Sequence, residues 1–326
     1  MADPPTTADR YRRFATLEAC GHSPCYEQWA LGLADDPSLL DLIDSLPVRK
    51  RQPNLVFGAC RYVGVEPGPF EQFRAWLTDH WRHVESVSLK RSTQTNGAGR
   101  CAVLLPILAD LPGPLALIEV GAAAGLCLYP DRFRYCYDRG VGSDAVWVGD
   151  PSAPVLPCAI RGPAPIPHDV PTVVWRAGID LHPLSADNED DVRWLRCLVW
   201  PEQEDRQARL DAAIGIARAD PPLIIQGDLN GSIVSLVARA PAGTTIVVFH
   251  SAVLAYLSPD EREHFARTVQ SLPVRWISNE SPRATIATEG QTVPKPARDD
   301  ARMVLALDGV PHALAGPHGQ SLDWIA

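Results

Sequence analysis

Paired cysteines, long basic runs and long apolar runs are all missing from this 326-residue chain, and each absence removes a class of function. None of the eight cysteines stands in a C-x-x-C pair, so the usual zinc-ribbon and dithiol redox patterns are not available. Several lie in apolar surroundings, such as Cys101 before Ala-Val-Leu-Leu, and the expectation is reduced thiols in a cytoplasmic protein. No Lys/Arg run exceeds Arg49-Lys50-Arg51 and the net charge is −9, so a nucleic-acid partner, which needs a basic face to displace counterions, is not expected. No run approaches the ~20 apolar residues of a membrane-spanning helix, and residues 1–13 lack the apolar core of a secretory signal, so no membrane role is expected. Gly-x-Ser-x-Gly, His-Glu-x-x-His and Gly-Lys-Ser/Thr are absent, which argues against a nucleophile elbow, a zinc-protease helix and a P-loop. There is no internal repeat.

What is present is ordinary for a globular α/β protein: 46% hydrophobic and 21% charged residues. The 31 prolines fall between hydrophobic runs, marking many short connections rather than one linker. From residue 8 to about 90 the apolar positions recur at helical spacing, as in Leu39, Leu40, Leu42, Ile43 and Leu46, and again in Phe70, Phe73, Trp76 and Leu77. Residues 1–100 therefore read as a helical N-terminal cap. From Leu115 short strand-length runs alternate with helical stretches, the pattern of a mostly parallel sheet with crossover helices. The predicted strands are Leu115–Val120, Thr172–Arg176, Leu223–Gln226, Thr245–Phe249 and Val274–Ile277, with an antiparallel pair from Met303 through Leu314. A long helix is predicted from about Asp190 to Arg218, interrupted near Pro201. Residues from Tyr135 to Val170, rich in proline and glycine and with only short strand-like pieces such as Ala145–Val148, read as an insertion in the form of a small hairpin in an α/β domain over 101–326.

Leu117-Ile118-Glu119-Val120-Gly121-Ala122-Ala123-Ala124-Gly125-Leu126 reads as a strand, a small-residue turn and the start of a helix. Such a turn lets a ligand approach the backbone closely, and a helix start offers free N–H groups. Glu119-x-Gly121-x-Ala123-x-Gly125 resembles the first motif of class I S-adenosylmethionine methyltransferases, with Ala123 where the pattern has glycine. The resemblance implies a Rossmann-like fold and S-adenosylmethionine as cofactor. It also implies that Asp180, after the second parallel strand, receives the ribose hydroxyls, and that Asp228, after the third, contacts the adenine amino group. The interval from Gly125 to Asp180 is longer than that pattern has and requires the insertion; Asp138 and Asp150 are the competing acids.

The chain is also similar, over nearly its whole length, to an uncharacterised bacterial family. The segments that carry this likeness are Thr93-Gln94-Thr95-Asn96 through Arg100, Trp200-Pro201-Glu202-Gln203, His250-Ser251-Ala252-Val253-Leu254 and Trp276-Ile277-Ser278-Asn279-Glu280. Gly97 stands where the family carries glutamate. No activity comes with this likeness.

Together these features predict methyl transfer from S-adenosylmethionine to a small acceptor. Glu119, Gly121, Ala123, Gly125, Asp180 and Asp228 are the cofactor residues, with Arg100 or Asn96 for the methionine carboxylate. His250, Tyr256, Glu202 and Glu280 are the acceptor-side candidates. A non-catalytic adenosyl- or partner-binding module, a hydrolase and another non-methyl enzyme are the alternatives. His250 and Ser251 are adjacent on a strand, so their side chains point to opposite faces and cannot readily act as a base–nucleophile pair. Glu261-x-x-His264 and His80-x-x-His83 have metal-ligand spacing, but each lacks the further ligands a site needs.

Overall fold

Short polar residues and prolines decide where the helices begin. In the computed structural model, which describes residues 5–94, 97–294 and 301–325, Thr6, Ser23, Asp36, Asn188, Asp228 and Ser258 each accept a backbone N–H at a helix start. Pro24, Pro37, Pro53 and Pro259 occupy first-turn positions, where no intrahelical N–H is needed. In chain order the helices are α1 (Thr7–Phe14), α2 (Pro24–Ala34), α3 (Pro37–Asp44), α4 (Pro53–Val63), α5 (Phe70–Lys90), α6 (Cys101–Leu108), α7 (Glu189–Leu198), α8 (Glu204–Ala219), α9 (Leu229–Val237) and α10 (Pro259–Gln270). The strands are β1 (Leu115–Val120), β2 (Arg134–Asp138), β3 (Val146–Val148), β4 (Val155–Arg161), β5 (Val173–Asp180), β6 (Leu223–Gln226), β7 (Thr245–Ser251), β8 (Arg275–Glu280), β9 (Met303–Leu307), β10 (Val310–Ala315) and β11 (Ser321–Trp324). Among the described residues no helix is long and apolar enough to cross a membrane.

Two compact units divide the chain: Met1–Thr95 with Asn188–Ala208, and Asn96–Asp187 with Arg209–Ala326. The first is helical, and it takes in α7 as well as the N-terminal segments. Its core is aromatic. Phe57 meets Tyr11, Phe14, Tyr26, Trp29 and Phe73 at ring-centroid distances of 4.9–6.0 Å. The helical stretch over 190–218 is broken at the expected place into two helices, because Pro201 cannot donate within a helix and Trp200-Pro201 turns the chain between α7 and α8. Trp200 packs against Phe14 and Tyr26, and its indole N–H donates to Asn54 Oδ1 at 2.9 Å.

The second unit is an α/β fold built on one mixed, mostly parallel sheet. Among the described residues it has 11 strands, in the order β3-β2-β4-β11-β10-β9-β8-β7-β1-β5-β6. Five neighbours, β6-β5-β1-β7-β8, are parallel throughout. Numbered along the chain they run third, second, first, fourth, fifth, so the direction of winding reverses between β1 and β7. Open parallel sheets bind ligands at such a reversal, beyond the C-terminal ends of the strands. All six residues of β1 are buried, as a strand covered on both faces requires, whereas β4 alternates exposed and buried because one of its faces meets solvent. One face of the parallel strands packs Ile118, Val120, Ala177, Ile179, Val248 and Trp276 under α9 and α10, the latter through Phe265, Ala266 and Val269.

The stretch from Tyr135 to Val170 holds an antiparallel pair, β2 with β3, that is continuous with the main sheet. It carries β2, β3 and β4, which extend the same sheet on its far side, β4 pairing in parallel with β11 and β2. No helix follows Gly125. Residues 121–132 run as turns into β2, and 122–130 are all buried. Pro130 comes too soon for more than one helical turn. The buried Arg176 fastens the segment instead, donating to Leu128 O at 2.6 Å and to Asp131 Oδ2 at 2.7 Å while lying over the Tyr129 ring.

Candidate functional site

Four strand ends meet at the reversal, and the register fixes what each contributes. Glu119 lies level with Gly178 on β5 and Phe249 on β7, so these three share the sheet face opposite α9 and α10. Two residues further along the strands, Asp180, Ser251 and Asn279 continue the same face at the rim.

The turn after β1 has its own structural logic. Gly121, Ala123 and Gly125 all adopt positive φ, at 70°, 49° and 69°. For Ala123 this left-handed conformation is strained and must be held in place. Asp180 holds it: Oδ2 accepts the Ala123 N–H at 2.7 Å, while Oδ1 accepts the His182 N–H at 2.8 Å. Packing also accounts for the glycines. A Cβ on Gly121 would collide with the Val253 side chain, and one on Gly125 would lie 2.8 Å from Ile224. Gly178 is equally constrained, since a Cβ there would stand 2.5 Å from the Ala122 Cβ.

Glu119 is 1% exposed. Burial pushes its carboxyl well above the usual range, Cys127 reinforces the shift, and the Arg100 guanidinium opposes it. Arg100, also buried, donates from Nε to Pro317 O at 3.1 Å and from Nη1 to Ser251 O at 3.4 Å. Its loop lies so close to the 316–319 turn that a side chain on Gly319 would meet the Gly99 carbonyl. The Cys101 thiol donates to Cys127 O at 3.4 Å, and all eight cysteines are free. Asn96 lies outside the described residues.

Asp228 is exposed and caps α9, accepting the Gly231 N–H at 3.1 Å. His250 and Glu280 are both 0% exposed. The Trp276 indole N–H donates to His250 Nε2 at 3.0 Å, which puts the imidazole proton on Nδ1, facing Glu280 Oε1 at 2.8 Å. Glu280 Oε1 also accepts the Val253 and Leu254 N–H groups, at 2.8 and 3.0 Å. This pair thus holds the loop after β7, on which Tyr256 stands 69% exposed. Glu202 belongs to the first unit, where it accepts from the Ser23 hydroxyl and the Cys25 N–H at the start of α2.

The structure therefore brings Glu119, Gly121, Ala123, Gly125, Asp180, Arg100 and Ser251 together at one end of the sheet. Asp138 and Asp150 lie with β2 to β4 on the far side of the sheet, each accepting N–H bonds within its own turn. Sequence reasoning did not pick out Ser251 or Asn279 as site residues, although both lie inside quoted motifs; only the register puts them in the row with Asp180. Of the metal-spaced pairs, Glu261 caps α10 and His80 stacks on Trp76. Among the described residues no group of three or more His, Cys, Asp or Glu could hold a metal ion.

Fold and rim define an α/β protein with a polar cluster at a parallel-sheet reversal. The chain belongs to the family described as "Uncharacterized protein conserved in bacteria (DUF2332)", whose family model matches residues 8–324. No curated protein and no solved structure matches it.

Proposed function

We propose that the second unit is a Rossmann-like, class I methyltransferase-type domain that binds S-adenosylmethionine at the rim of β1, β5 and β6 and transfers its methyl group to a small acceptor. The observation that carries this reading is the strand order. It reverses next to β1, so the Glu119–Gly125 turn and Asp180 stand on adjacent strands at the edge where parallel sheets take ligands. Glu119, Gly121, Ala123, Gly125, Asp180 and Asp228 line the adenosyl side, with Arg100, and Asn96 from the sequence pattern, at the methionine end. Catalysis of this kind works chiefly by aligning nucleophile and sulfonium. Tyr256 is the acceptor-side candidate at the surface, and His250 and Glu280 serve it by fixing its loop. Calorimetric titration with S-adenosylmethionine, S-adenosylhomocysteine and NAD tests the proposal. Binding of the two adenosyl compounds without NAD is expected; NAD alone, or none of the three, overturns it.

One observation favours a second reading, an adenosyl-binding module without chemistry. Val253 packs onto Gly121, and the Nε2 lone pair of His250 is taken by Trp276, so His250 itself is not a free imidazole base. S-adenosylhomocysteine binding with no methyl transfer to any of a broad panel of oxygen, nitrogen and sulfur nucleophiles would select it.

A further inference from the structure

The last residue pair between β7 and β8 is Ser251 with Asn279, side by side on the same sheet face as Glu119 and Asp180. Both are deeply buried, at 6% and 0% exposure. Asn279 Nδ2 donates to Ser251 Oγ at 3.3 Å. That bond leaves two groups over. Asn279 Oδ1 is buried with no hydrogen-bond partner. The Ser251 hydroxyl, already an acceptor, has its own proton still to give, and among the described residues no acceptor receives it. A buried acceptor left without a donor is unfavourable, because it has lost water and gained nothing. An apolar side chain would fill the same place without that penalty.

The backbone around the pair is firmly held, so the two side chains cannot readily turn away. Arg100 Nη1 donates to the Ser251 carbonyl, and the Ala252 N–H donates to the Asn279 carbonyl at 3.0 Å. Ala252 itself sits at a φ of 57°. The arrangement presents one acceptor and one donor next to each other, at the rim and beside the reversal in the sheet. Ser251 keeps a trace of exposure and Asn279 none, so a ligand meets the hydroxyl first and the carboxamide behind it.

We infer that Ser251 and Asn279 form a binding subsite for a carboxamide-like edge, in which a ligand N–H is accepted by Asn279 Oδ1 and the adjoining ligand C=O accepts the Ser251 hydroxyl. Two neutral hydrogen bonds made together recognise an amide and reject an ester, a ketone or a tertiary amide, which lack the N–H. The subsite lies on β7 and β8 and does not depend on what occupies the turn after β1.

Saturation-transfer NMR on the full chain tests this, with benzamide as probe and N,N-dimethylbenzamide and acetophenone as controls. Benzamide is expected to give a signal and both controls none. Asn279→Leu and Ser251→Ala should each weaken benzamide binding about ten-fold or more, the effect of losing one or two hydrogen bonds. The thermal midpoint of Asn279→Leu should stay level or rise, since an unsatisfied buried acceptor is removed. No benzamide signal, equal signals from benzamide and its dimethyl analogue, or unchanged binding in Ser251→Ala each overturns the inference. A sharp fall in the midpoint of Asn279→Leu would also overturn it, by showing that the carboxamide serves the core.

Discussion

Replacing Glu280 by alanine removes the acceptor of three buried or part-buried donors at once. Oε1 takes the His250 Nδ1–H at 2.8 Å, the Val253 N–H at 2.8 Å and the Leu254 N–H at 3.0 Å, in a site with no solvent exposure. A donor stranded in such a place costs about 1–3 kcal/mol, and breaking a buried, hydrogen-bonded pair by deleting one member costs about 3–5 kcal/mol. With some relaxation of the loop, a loss of about 3–5 kcal/mol is expected. At roughly 2–4 °C per kcal/mol for a unit of this size, the midpoint should fall by roughly 6–20 °C. Glu280→Gln keeps a carbonyl oxygen for the backbone donors and should lose only about 1–2 kcal/mol. Thermal scans and urea titrations measure the loss. Amide hydrogen exchange localises it, with Val253 and Leu254 exchanging faster in the alanine variant than in the glutamine one. A loss below about 1 kcal/mol for Glu280→Ala, with exchange at both amides unchanged, would refute this reasoning.

Burial raises the Glu119 pKa, so folding holds a proton that the unfolded chain releases once the pH passes the ordinary glutamic-acid value. Its contribution to stability is present below that value and declines as the pH rises toward the folded pKa. Glu119→Gln removes the dependence, so its midpoint should gain on wild type as the pH is raised from 4.5 to 8; a difference flat in pH is the contrary result. Asp180→Ala should destabilise the fold by about 1–3 kcal/mol, because two backbone N–H groups lose their acceptor; the expected fall in adenosyl-ligand affinity is measured separately by calorimetry. Gly178→Ala should lower the midpoint through overpacking, by about 1–3 kcal/mol, since its Cβ would press on the Ala122 Cβ and stand 3.2 Å from the Glu119 carbonyl; a neutral effect would mean that this contact yields easily. Removing residues 1–92 should leave the remainder aggregated in size-exclusion chromatography, because it uncovers Val192, Trp194, Leu195 and Leu198 of α7; a monodisperse product would show α7 packs adequately without its partners.

Much of the parallel sheet is legible in the sequence because its strands are short apolar runs bounded by turn residues. β1 and β6 fall at the predicted bounds, and β5, β7 and β8 extend the predicted runs by residues that carry the site: Asp180, Ser251 and Glu280. Those extensions were hidden because polar residues end a hydrophobic run before they end a strand. The helix expected after Gly125 is absent for a reason also present in the sequence, Pro130, but the role of Arg176 in tying that segment down depends on a contact across the sheet. Of the strands in that stretch only β3 was foreshadowed, by the strand-like piece Ala145–Val148; β4 joins the main sheet through β11, which lies far along the chain. The odd segment Trp200-Pro201-Glu202-Gln203 announced a break in helix, which the structure has; that Glu202 accepts from Ser23 and Cys25 could not be read from local sequence. Nor could the row of Asp180, Ser251 and Asn279, which exists only once the register is known.

The pairing of β4 with β11 has a consequence for the order in which the protein can be made. Ala159, Ile160 and Arg161 find their inner neighbours in Ser321, Leu322 and Asp323. Until synthesis reaches those residues, the earlier strand leaves the ribosome with one edge unmatched, an invitation to pair with another chain. Such distant partners also slow closure, since the intervening chain must be ordered first. The nascent protein therefore passes through a long interval in which most of the sheet exists in sequence but one of its seams is open. Stalled chains ending before Ser321 should be far more prone to aggregate than their small truncation suggests, which sedimentation of arrested nascent chains would register directly.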